Sequence, residues 1–366
     1  MVDQQTAPMG TPPGDNLDEA AVQELAASFR GQLVRSRDDG YDGARAVFNA
    51  MVDRRPALIA RCTGVADVMA AVRFARDNGL PLAIRGGGHS VPGYGVCEGG
   101  VVVDLSPMKG VWVDPEARTA RAQAGLTWGE LDRETQQFGL AVTGGRVTHT
   151  GIAGLTLGGG SGWLERKLGF TVDNLISADA VTADGQFVRA SEEENEDLFW
   201  GIKGGGGNFG VVTSFEYRLH PVGPIVLGGM LMYPAERAGE VLRFYRDFIA
   251  EAPDELGGAC AFVTAPPEPF VPEPVQGSQV FAVVVCYFGS IEEGEEAIRP
   301  LKEFEPPAMD MVGPMPYTVL QSLLDPGNPP GLQNYWKAGF LHELPDEAVD
   351  TLVKHAQKVT SPLSGC

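Results

Sequence analysis

Cysteine and histidine are scarce in this sequence, and neither is spaced for metal binding. Five cysteines and five histidines are scattered among 366 residues, with no Cys-x-x-Cys pair. An odd, widely spaced set of cysteines argues against a disulfide scaffold or a zinc site and is typical of a reducing compartment. We therefore expect a cytoplasmic protein without a metal centre.

Long apolar runs and an excess of positive charge are also missing. No stretch approaches the roughly 20 apolar residues needed to cross a bilayer, and the N-terminus lacks the charged-then-apolar layout of a secretory signal. Lysine and arginine total 28 against 48 aspartates and glutamates, which gives a formal net charge of −20. Because an acidic surface repels nucleic acid and anionic membranes, neither is an expected partner.

Three common nucleotide-binding and hydrolase motifs are absent or out of context. The chain has no Gly-Lys pair, which a phosphate-binding P-loop needs, and no G-x-S-x-G esterase turn. One G-x-G-x-x-G match occurs, at Gly205, Gly207 and Gly210. It follows a predicted helix and precedes a predicted strand, whereas the dinucleotide fingerprint follows a strand and opens a helix. A Rossmann-type site is therefore not expected.

The sequence does contain enough apolar residues for two domains. A hydrophobic content of 43% over 366 residues is typical of a folded chain with a sizeable core. Residues 1–18 are rich in Pro, Gly and Gln and should form a loose tail. A lead-in at 19–55 should contain an amphipathic helix at 19–33. We expect a first domain at 56–222 and a second at 223–366.

Apolar periodicity and turn signals predict an α+β fold in both domains. In the first, the expected strands are 57–62, 81–84, 101–105 and 211–219, the hairpins 111–124 and 177–190, and the helices 65–76, 127–138 and 191–200. In the second, strands at 281–287 and 335–341 alternate with helices at 235–248, 292–304 and 346–359.

Three glycine clusters in the first domain indicate the kind of ligand. The first, RGGGHS at 85–90, follows a predicted strand, and two more occupy 144–162 and 204–210. Bare backbone lets main-chain N–H groups close around something bulky and anionic. Three such places favour one long ligand over three unrelated turns. His89 follows three glycines that cannot shield its ring, so it could serve as a nucleophile or attachment point.

These motifs resemble, in order, those of berberine-bridge-type FAD-linked oxidases, which belong to the vanillyl-alcohol oxidase (p-cresol methylhydroxylase, PCMH-type) superfamily. The bacterial 6-hydroxy-D-nicotine-oxidase-like branch is the most similar. The matching segments are the flavin-attachment region at 85–95 with DLS at 104–106, TGIAGLTLGGGSGWL at 150–164, GFTVDNL at 169–175, and DLFW followed by GGGGNFGVVT at 197–213.

The resemblance implies a PCMH-type FAD-binding domain of two α+β subdomains, followed by an α+β substrate domain with an antiparallel sheet and helices. It implies FAD bound covalently through His89 to the flavin 8α-methyl. A second link is not expected, because 145–150 contains no cysteine and Cys97 stands elsewhere. The other implied cofactor-binding residues are Arg85, Gly86, Gly87, Gly88, Ser90, Thr150, Gly151, Gly154, Gly158, Gly159, Gly160, Gly162 and Val211.

The resemblance also implies a two-electron oxidation, in which a CH–OH or CH–NH carbon of a small molecule gives a hydride to flavin and dioxygen accepts the electrons. Family members continue past this C-terminus, so the substrate domain is expected to be incomplete. Tyr335 and Lys337 alternate on the predicted strand 335–341, and their shared face could look onto the flavin or onto solvent. Two functions stay open: an oxidase with these two residues as catalytic candidates, or a flavin- or ligand-binding protein or fragment without turnover.

Overall fold

The computed structural model describes residues 17–267, 269 and 271–366. The expected tail at 1–18 lies outside the described residues except for its last two positions. Among the residues described, helices pack against sheets that are mainly antiparallel. This mixed architecture confirms the α+β prediction.

The first sheet delivers the first glycine cluster. Its segment comprises α1 (Glu19–Ser28), β1 (Gln32–Arg35), α2 (Tyr41–Arg45), β2 (Leu58–Arg61), α3 (Val65–Asp77), β3 (Leu82–Arg85) and β4 (Val101–Asp104). The strand order is β1-β2-β4-β3, with β2, β4 and β3 parallel and β1 antiparallel to β2. Because parallel strands end at the same edge, Arg61, Asp104 and Arg85 lie side by side where the glycine loop begins.

The second sheet is antiparallel, in the order β5-β6-β10-β8-β9. The elements of this segment are β5 (Val111–Asp114), β6 (Thr119–Gln123), α4 (Trp128–Thr135), β7 (Leu140–Ala141), α5 (Ile152–Leu157), α6 (Glu165–Leu168), β8 (Leu175–Val181), β9 (Phe187–Ser191), α7 (Glu196–Ile202), β10 (Val211–Arg218) and β11 (His220–Pro221). Short 3₁₀ turns occupy 136–138, 171–174 and 206–209. The G-x-G-x-x-G match falls between α7 and β10, so its predicted context is confirmed.

The third sheet is formed by residues after 222, in the order β13-β14-β12-β15, with β16 also paired to β12. The elements are β12 (Ile225–Pro234), α8 (Ala238–Glu251), β13 (Leu256–Thr264), β14 (Gln279–Tyr287), α9 (Ile291–Phe304), β15 (Met309–Asp310), β16 (Gly313–Pro316), α10 (Tyr317–Gln321) and α11 (Asp346–Ala356). One face is covered by α8, α9 and α11, which bury Tyr233, Tyr245 and Leu301. We refer to residues 17–222 as the N-terminal part and to 223–366 as the C-terminal part.

The opposite face of the third sheet packs on the N-terminal part. Trp163 and Leu164, in the turn before α6, lie in one buried cluster with Val284 and Cys286 of β14 and Leu320 of α10. Trp163 is 2% exposed and Leu320 fully buried. The two parts therefore share an apolar core, and α10 is anchored in it.

Predictions that rest on local chemistry are confirmed. Thr127 and Glu130 form the capping box that begins α4. Gly139 ends that helical segment with φ +62°, a left-handed conformation that suits glycine. Asp184-Gly185 turns β8 into β9, with Gly185 at φ +76°.

Two predicted helices have wrong bounds, and one predicted strand is not found. The helix expected at 19–33 ends at Ser28, because 32–35 pairs with β2 instead. The helix expected from 191 begins at Glu196, since the Ser191 hydroxyl accepts hydrogen bonds from the Glu193 and Glu194 N–H groups and holds a turn. The segment 335–341 is not a strand and pairs with no other strand among the described residues.

Candidate functional site

A cavity of about 620 Å³ opens beside the loop that follows β3. Gly86, Gly87, Gly88 and His89 form one wall. Other lining residues come from all four strands of the first sheet, from the chain around α2 and from two more distant segments. They include Arg61, Arg85, Asp104, Phe48, His149 and Pro330. Segments distant in sequence thus converge on the RGGGHS loop, as expected for a binding site.

Glycine is required in this loop because another loop crosses it backbone to backbone. A Cβ added to Gly87 would lie 2.3 Å from the nitrogen of Gly151, and one added to Gly151 would lie 2.3 Å from the nitrogen of Gly87. Neither position has room for any side chain. The first two glycine clusters therefore form one surface, as the sequence suggested.

A bare helical face continues from this crossing. Gly151, Gly154 and Gly158 are spaced three and four residues apart, so they lie on one side of α5. A Cβ on Gly154 would meet no atom within 4 Å, and one on Gly158 nothing nearer than 3.4 Å. Both residues are exposed. No atom of the described residues requires glycine at 154, so an external ligand that approaches the backbone closely is the simplest reason for it.

Basic residues line the cavity at the end of the first sheet. Arg85 is 7% exposed and donates to Asp104 Oδ2 at 2.9 Å. Arg61 lies on the other side of Asp104, 3.4 Å from the same oxygen, and its side chain is 41% exposed. Arg85 was predicted from its place before the glycines, whereas Arg61 was missed. The signal for Arg61 was present in the parallel pairing, which aligns the last residues of β2 and β4.

His89 is held in place on two sides. Its ring stacks on Phe48 with centroids 4.1 Å apart and an interplanar angle of 17°. Its Nε2 lies 2.8 Å from Nδ1 of His149, and the two nitrogens share one hydrogen. Its Nδ1 has a looser neighbour, the Thr150 hydroxyl at 3.4 Å. Burial, with His149 adding to it, lowers the pKa of His89 to about 4. The ring is therefore neutral at pH 7, which a nucleophile needs.

His149 was not predicted as a site residue. The two histidines stand 60 positions apart, and sequence spacing gave no reason to pair them. The Nε2 of His149 is buried and has no hydrogen-bond partner among residues 17–267, 269 and 271–366. The available signal was its position inside the second glycine cluster, two residues before Gly151, which crosses the first cluster.

Of the remaining cofactor candidates, some lie beside open space or in a turn, and others are packed against the chain. Gly159 has φ +107° and open space where a Cβ would stand, and Ser90 accepts a hydrogen bond from the Tyr94 N–H at 3.0 Å. Others serve the packing of the chain itself. A Cβ on Gly160 would lie 2.2 Å from the Thr171 hydroxyl, one on Gly162 would lie 2.0 Å from the Gly144 carbonyl, and Val211 is buried in β10 opposite Val181.

The catalytic candidates lie at the rim of the site. Without the strand 335–341, the argument that Tyr335 and Lys337 share a sheet face no longer holds. Tyr335 is 75% exposed, and Lys337 is also exposed. Between them Trp336 approaches Phe48, with ring centroids 6.0 Å apart. The segment therefore runs near the His89 site, although the reason given for choosing these two residues was wrong.

A second cavity, of about 520 Å³, lies on the far side of His149. Asp132 of α4 and Gln321 of α10 line it, each 1% exposed. Gln321 Nε2 donates to Asp132 Oδ2 at 2.8 Å, while Asp132 Oδ1 and Gln321 Oε1 have no partner. Burial raises the pKa of Asp132 to about 7, although the hydrogen bond from Gln321 opposes that shift. Neither residue was identified from the sequence.

Neither a metal-binding cluster nor a membrane-spanning helix is found in the described residues. In the part of the chain that the structure describes, no three His, Cys, Asp or Glu side chains are grouped to hold a metal ion. Over the same residues, no helix combines the length and apolarity needed to cross a bilayer.

The observed surface suits FAD. A long ligand with two phosphates needs exposed backbone for close approach, neighbouring positive charge and, for a covalent flavin, a neutral nucleophile at one end. The face formed by Gly151, Gly154 and Gly158, the cavity with Arg61, and His89 supply these three features. Apart from Pro330, which also lines the cavity, the residues named for this site belong to the N-terminal part.

Comparison with known proteins identifies the family. Residues 56–191 match the FAD binding domain family. An FAD-linked oxidoreductase of Dictyostelium discoideum is 34% identical over 325 residues, 88% of this chain and 68% of that protein. The (R)-6-hydroxynicotine oxidase of Paenarthrobacter nicotinovorans is 32% identical, over 84% of this chain and 66% of its own. The chain thus spans about two thirds of the length of these relatives.

Solved structures agree on the fold. The crystal structure of 6-hydroxy-D-nicotine oxidase from Arthrobacter nicotinovorans superposes with a TM-score of 0.78 at 28% identity, covering 91% of this chain and 73% of the other. A berberine-bridge-enzyme-like protein of Physcomitrella patens gives a TM-score of 0.79 at 23% identity, covering 93% and 75%. This chain belongs to the FAD-linked oxidoreductases of the PCMH-type FAD-binding superfamily.

Proposed function

We propose that the protein is an FAD-linked oxidase that holds its cofactor covalently through His89 and oxidises a CH–OH or CH–NH carbon of a small molecule, with dioxygen as the acceptor. The observation that supports this most directly is the neutral, clamped ring of His89 at the end of a bare glycine surface. We also propose that the FAD-binding domain spans residues 56–222 and that the substrate domain begins at residue 223. The cysteine-free stretch 145–150 supports His89 as the single link.

Each element of the site has a task in this proposal. FAD, when bound, supplies a ring system that accepts two electrons. The glycine face of α5 lets main chain approach the cofactor closely, and Arg61 places positive charge near its phosphates. Phe48 and His149 restrict His89 to one orientation, which leaves Nδ1 as the ring nitrogen without a close partner.

The names of relatives and solved neighbours support a choice of substrate class. One relative is named for the oxidation of 6-hydroxynicotine, and solved neighbours include a chitooligosaccharide oxidase and a xylooligosaccharide oxidase. We therefore propose a cyclic amine or a sugar as substrate. The five unpaired cysteines support a reducing, cytoplasmic compartment.

The proposal is tested on the purified protein in two measurements. Protein denatured in acid and washed should stay yellow and fluoresce under ultraviolet light. Native protein should release hydrogen peroxide with at least one compound in a panel of sugars, alcohols and cyclic amines. A colourless pellet with flavin in the wash would overturn the covalent link. A yellow pellet without peroxide from any compound would favour the flavin-binding alternative.

Gly154→Ala should lower the flavin content of the protein without destabilising its fold. Because Gly154 lies in α5 with open space beside it, alanine should stabilise the apo-protein by up to about 1 kcal/mol. The added methyl group stands where we place the cofactor, so flavin content should fall at least about threefold, since a clash in a close-packed contact costs roughly 1 kcal/mol or more. Urea unfolding and flavin absorbance measure the two effects. Unchanged flavin content in Gly154→Ala would mean that the cofactor does not lie on this face.

A further inference from the structure

The two residues that clamp His89 are themselves held from the C-terminal part. Phe48 stacks on one face of the ring and His149 contacts Nε2, but both lie on irregular chain outside helices and strands. Within the N-terminal part, the Phe48 N–H donates to the Gly88 carbonyl at 3.2 Å and the Gly129 N–H donates to the Thr148 carbonyl at 2.9 Å. Further contacts to both clamps come from one segment, 321–334, which includes the end of α10 and the chain after it. We name this segment the strap.

The strap holds the His149 side through Thr148. The carboxylate of Asp325 accepts from the Thr148 N–H at 2.8 Å and also from the Thr148 hydroxyl. Two hydrogen bonds to one carboxylate fix the backbone immediately before His149 in position and direction. Gln321 adds a third contact, from its Nε2 to the Gly145 carbonyl at 3.3 Å.

The strap also holds the Phe48 side. Gly331 N–H donates to the Phe48 carbonyl at 3.0 Å, and Ala50 N–H donates to the Leu332 carbonyl at 2.9 Å. Asn49 is 7% exposed and binds Asn334 twice: its Nδ2 donates to the Asn334 carbonyl at 2.7 Å, and its Oδ1 accepts from the Asn334 N–H at 3.0 Å. One segment of the C-terminal part thus contacts both supports of the His89 ring.

We propose that the strap positions His89 for cofactor attachment and that Asp325 is its main positioning residue, acting through Thr148 and His149. The inference rests on the covalent link proposed above. Attachment replaces one C–H bond of the flavin 8α-methyl and one N–H bond of His89 by a C–N bond, and the two protons and two electrons released reduce dioxygen to hydrogen peroxide. With Nε2 held by His149, Nδ1 forms the bond and the Nε2 proton can pass to His149.

The test follows attachment in apo-protein produced under riboflavin starvation and then mixed with FAD in air. Acid-stable flavin fluorescence gives the attachment rate, and quenching of FAD fluorescence before attachment gives the dissociation constant of the noncovalent complex. Asp325→Ala loses both bonds to Thr148, and Asp325→Asn keeps one acceptor. Asn49→Ala loses both bonds to Asn334, whereas Asn334→Ala keeps them because they involve its main chain.

We expect attachment to be about tenfold slower in Asp325→Ala, which loses two hydrogen bonds to a carboxylate, and in Asn49→Ala, which loses two hydrogen bonds between an amide and main chain. Asp325→Asn should recover part of the rate, and Asn334→Ala should stay within about twofold of wild type, because no bond to the clamps is lost. The noncovalent dissociation constant should change by less than about threefold, since neither Asp325 nor Asn49 lines the cavity beside the RGGGHS loop.

Three results would overturn the inference. Asp325→Ala could attach FAD at the wild-type rate. Its attachment rate and noncovalent affinity could fall together, which would show general damage to the fold. Asp325→Asn is the check on folding, because it is isosteric with the native residue. Wild-type protein without acid-stable flavin would refute the proposed covalent link itself, whereas the first two outcomes leave that link standing and refute only the role of the strap.

Discussion

Replacing His89 by alanine should abolish acid-stable flavin. The intact mass of wild-type protein should equal the chain plus one FAD less two hydrogens, and that of His89→Ala should equal the chain alone. His149 lines the same cavity and loses its partner in this variant, so the missing adduct would also show that His149 does not replace His89 as the attachment point. Noncovalent flavin should persist at a reduced level in the variant, since the glycine face is untouched.

The matched control is His342→Ala. His342 is an exposed histidine of the C-terminal part, so its removal should leave the mass that FAD adds to the chain unchanged. If His89→Ala still carried the adduct, another side chain would have to be the attachment point. Peptide mapping of the flavin-bearing fragment in wild type would then identify it.

The second large effect is expected at Asp132, where asparagine should stabilise the protein in alkaline solution. Asp132 is 1% exposed, and burial raises its pKa to about 7 from an ordinary value of 3.8. Between these values the folded state keeps a proton that the unfolded state has lost. Stability from this group is therefore fully present below about pH 4 and is lost as the pH rises through 7.

The asparagine side chain does not titrate and resembles the protonated acid, so the two proteins should differ only when the pH is high. At pH 8 the free energy of unfolding of Asp132→Asn should exceed that of wild type by up to about 4 kcal/mol, an upper limit set by the two pKa values. At pH 4.5 the difference should fall within about 1 kcal/mol. Urea unfolding at both pH values measures it.

Asp350→Asn is the control for that experiment. Asp350 is an exposed partner of Arg243, with its side chain 70% accessible, so its replacement should change stability by less than about 1 kcal/mol at either pH. If Asp132→Asn were no more stable than wild type at pH 8, Asp132 would be ionised at little cost. Water in the cavity of about 520 Å³ beside it would then be solvating the carboxylate.

Local chemistry explains which parts of the fold could be predicted from the sequence. A capping box needs only Thr127 and Glu130, and a hairpin turn needs only Asp184 and Gly185, so these features were found. The segment 335–341 has the composition of a strand but no partner strand beside it among the described residues. Alternation in sequence cannot show whether a partner strand is present, which is why this prediction was wrong.

The site was predictable to the extent that it depends on bare backbone. The glycine clusters and His89 were visible because their residue types are unusual and adjacent. Sequence alone could not separate Gly160, which packs on Thr171, from Gly154, which packs on nothing. It also could not pair His89 with His149, because that contact depends on the crossing of the first two glycine clusters. Nor could it bring Asp325 to Thr148, 177 residues away, because that contact depends on how the two parts of the chain dock.

The apolar contact around Trp163 also affects how the molecule comes apart. A Cβ on Gly257 of β13 would stand 2.4 Å from the Trp163 carbonyl, so the third sheet rests directly on N-terminal backbone. Neither part can expose its side of this contact without leaving tryptophan and leucine side chains in water. The chain should therefore melt as one cooperative unit, and loss of the third sheet on heating should coincide with the release of the strap from His149 and Phe48. The thermal stability of the chain and the positioning of His89 would then depend on the same buried contact.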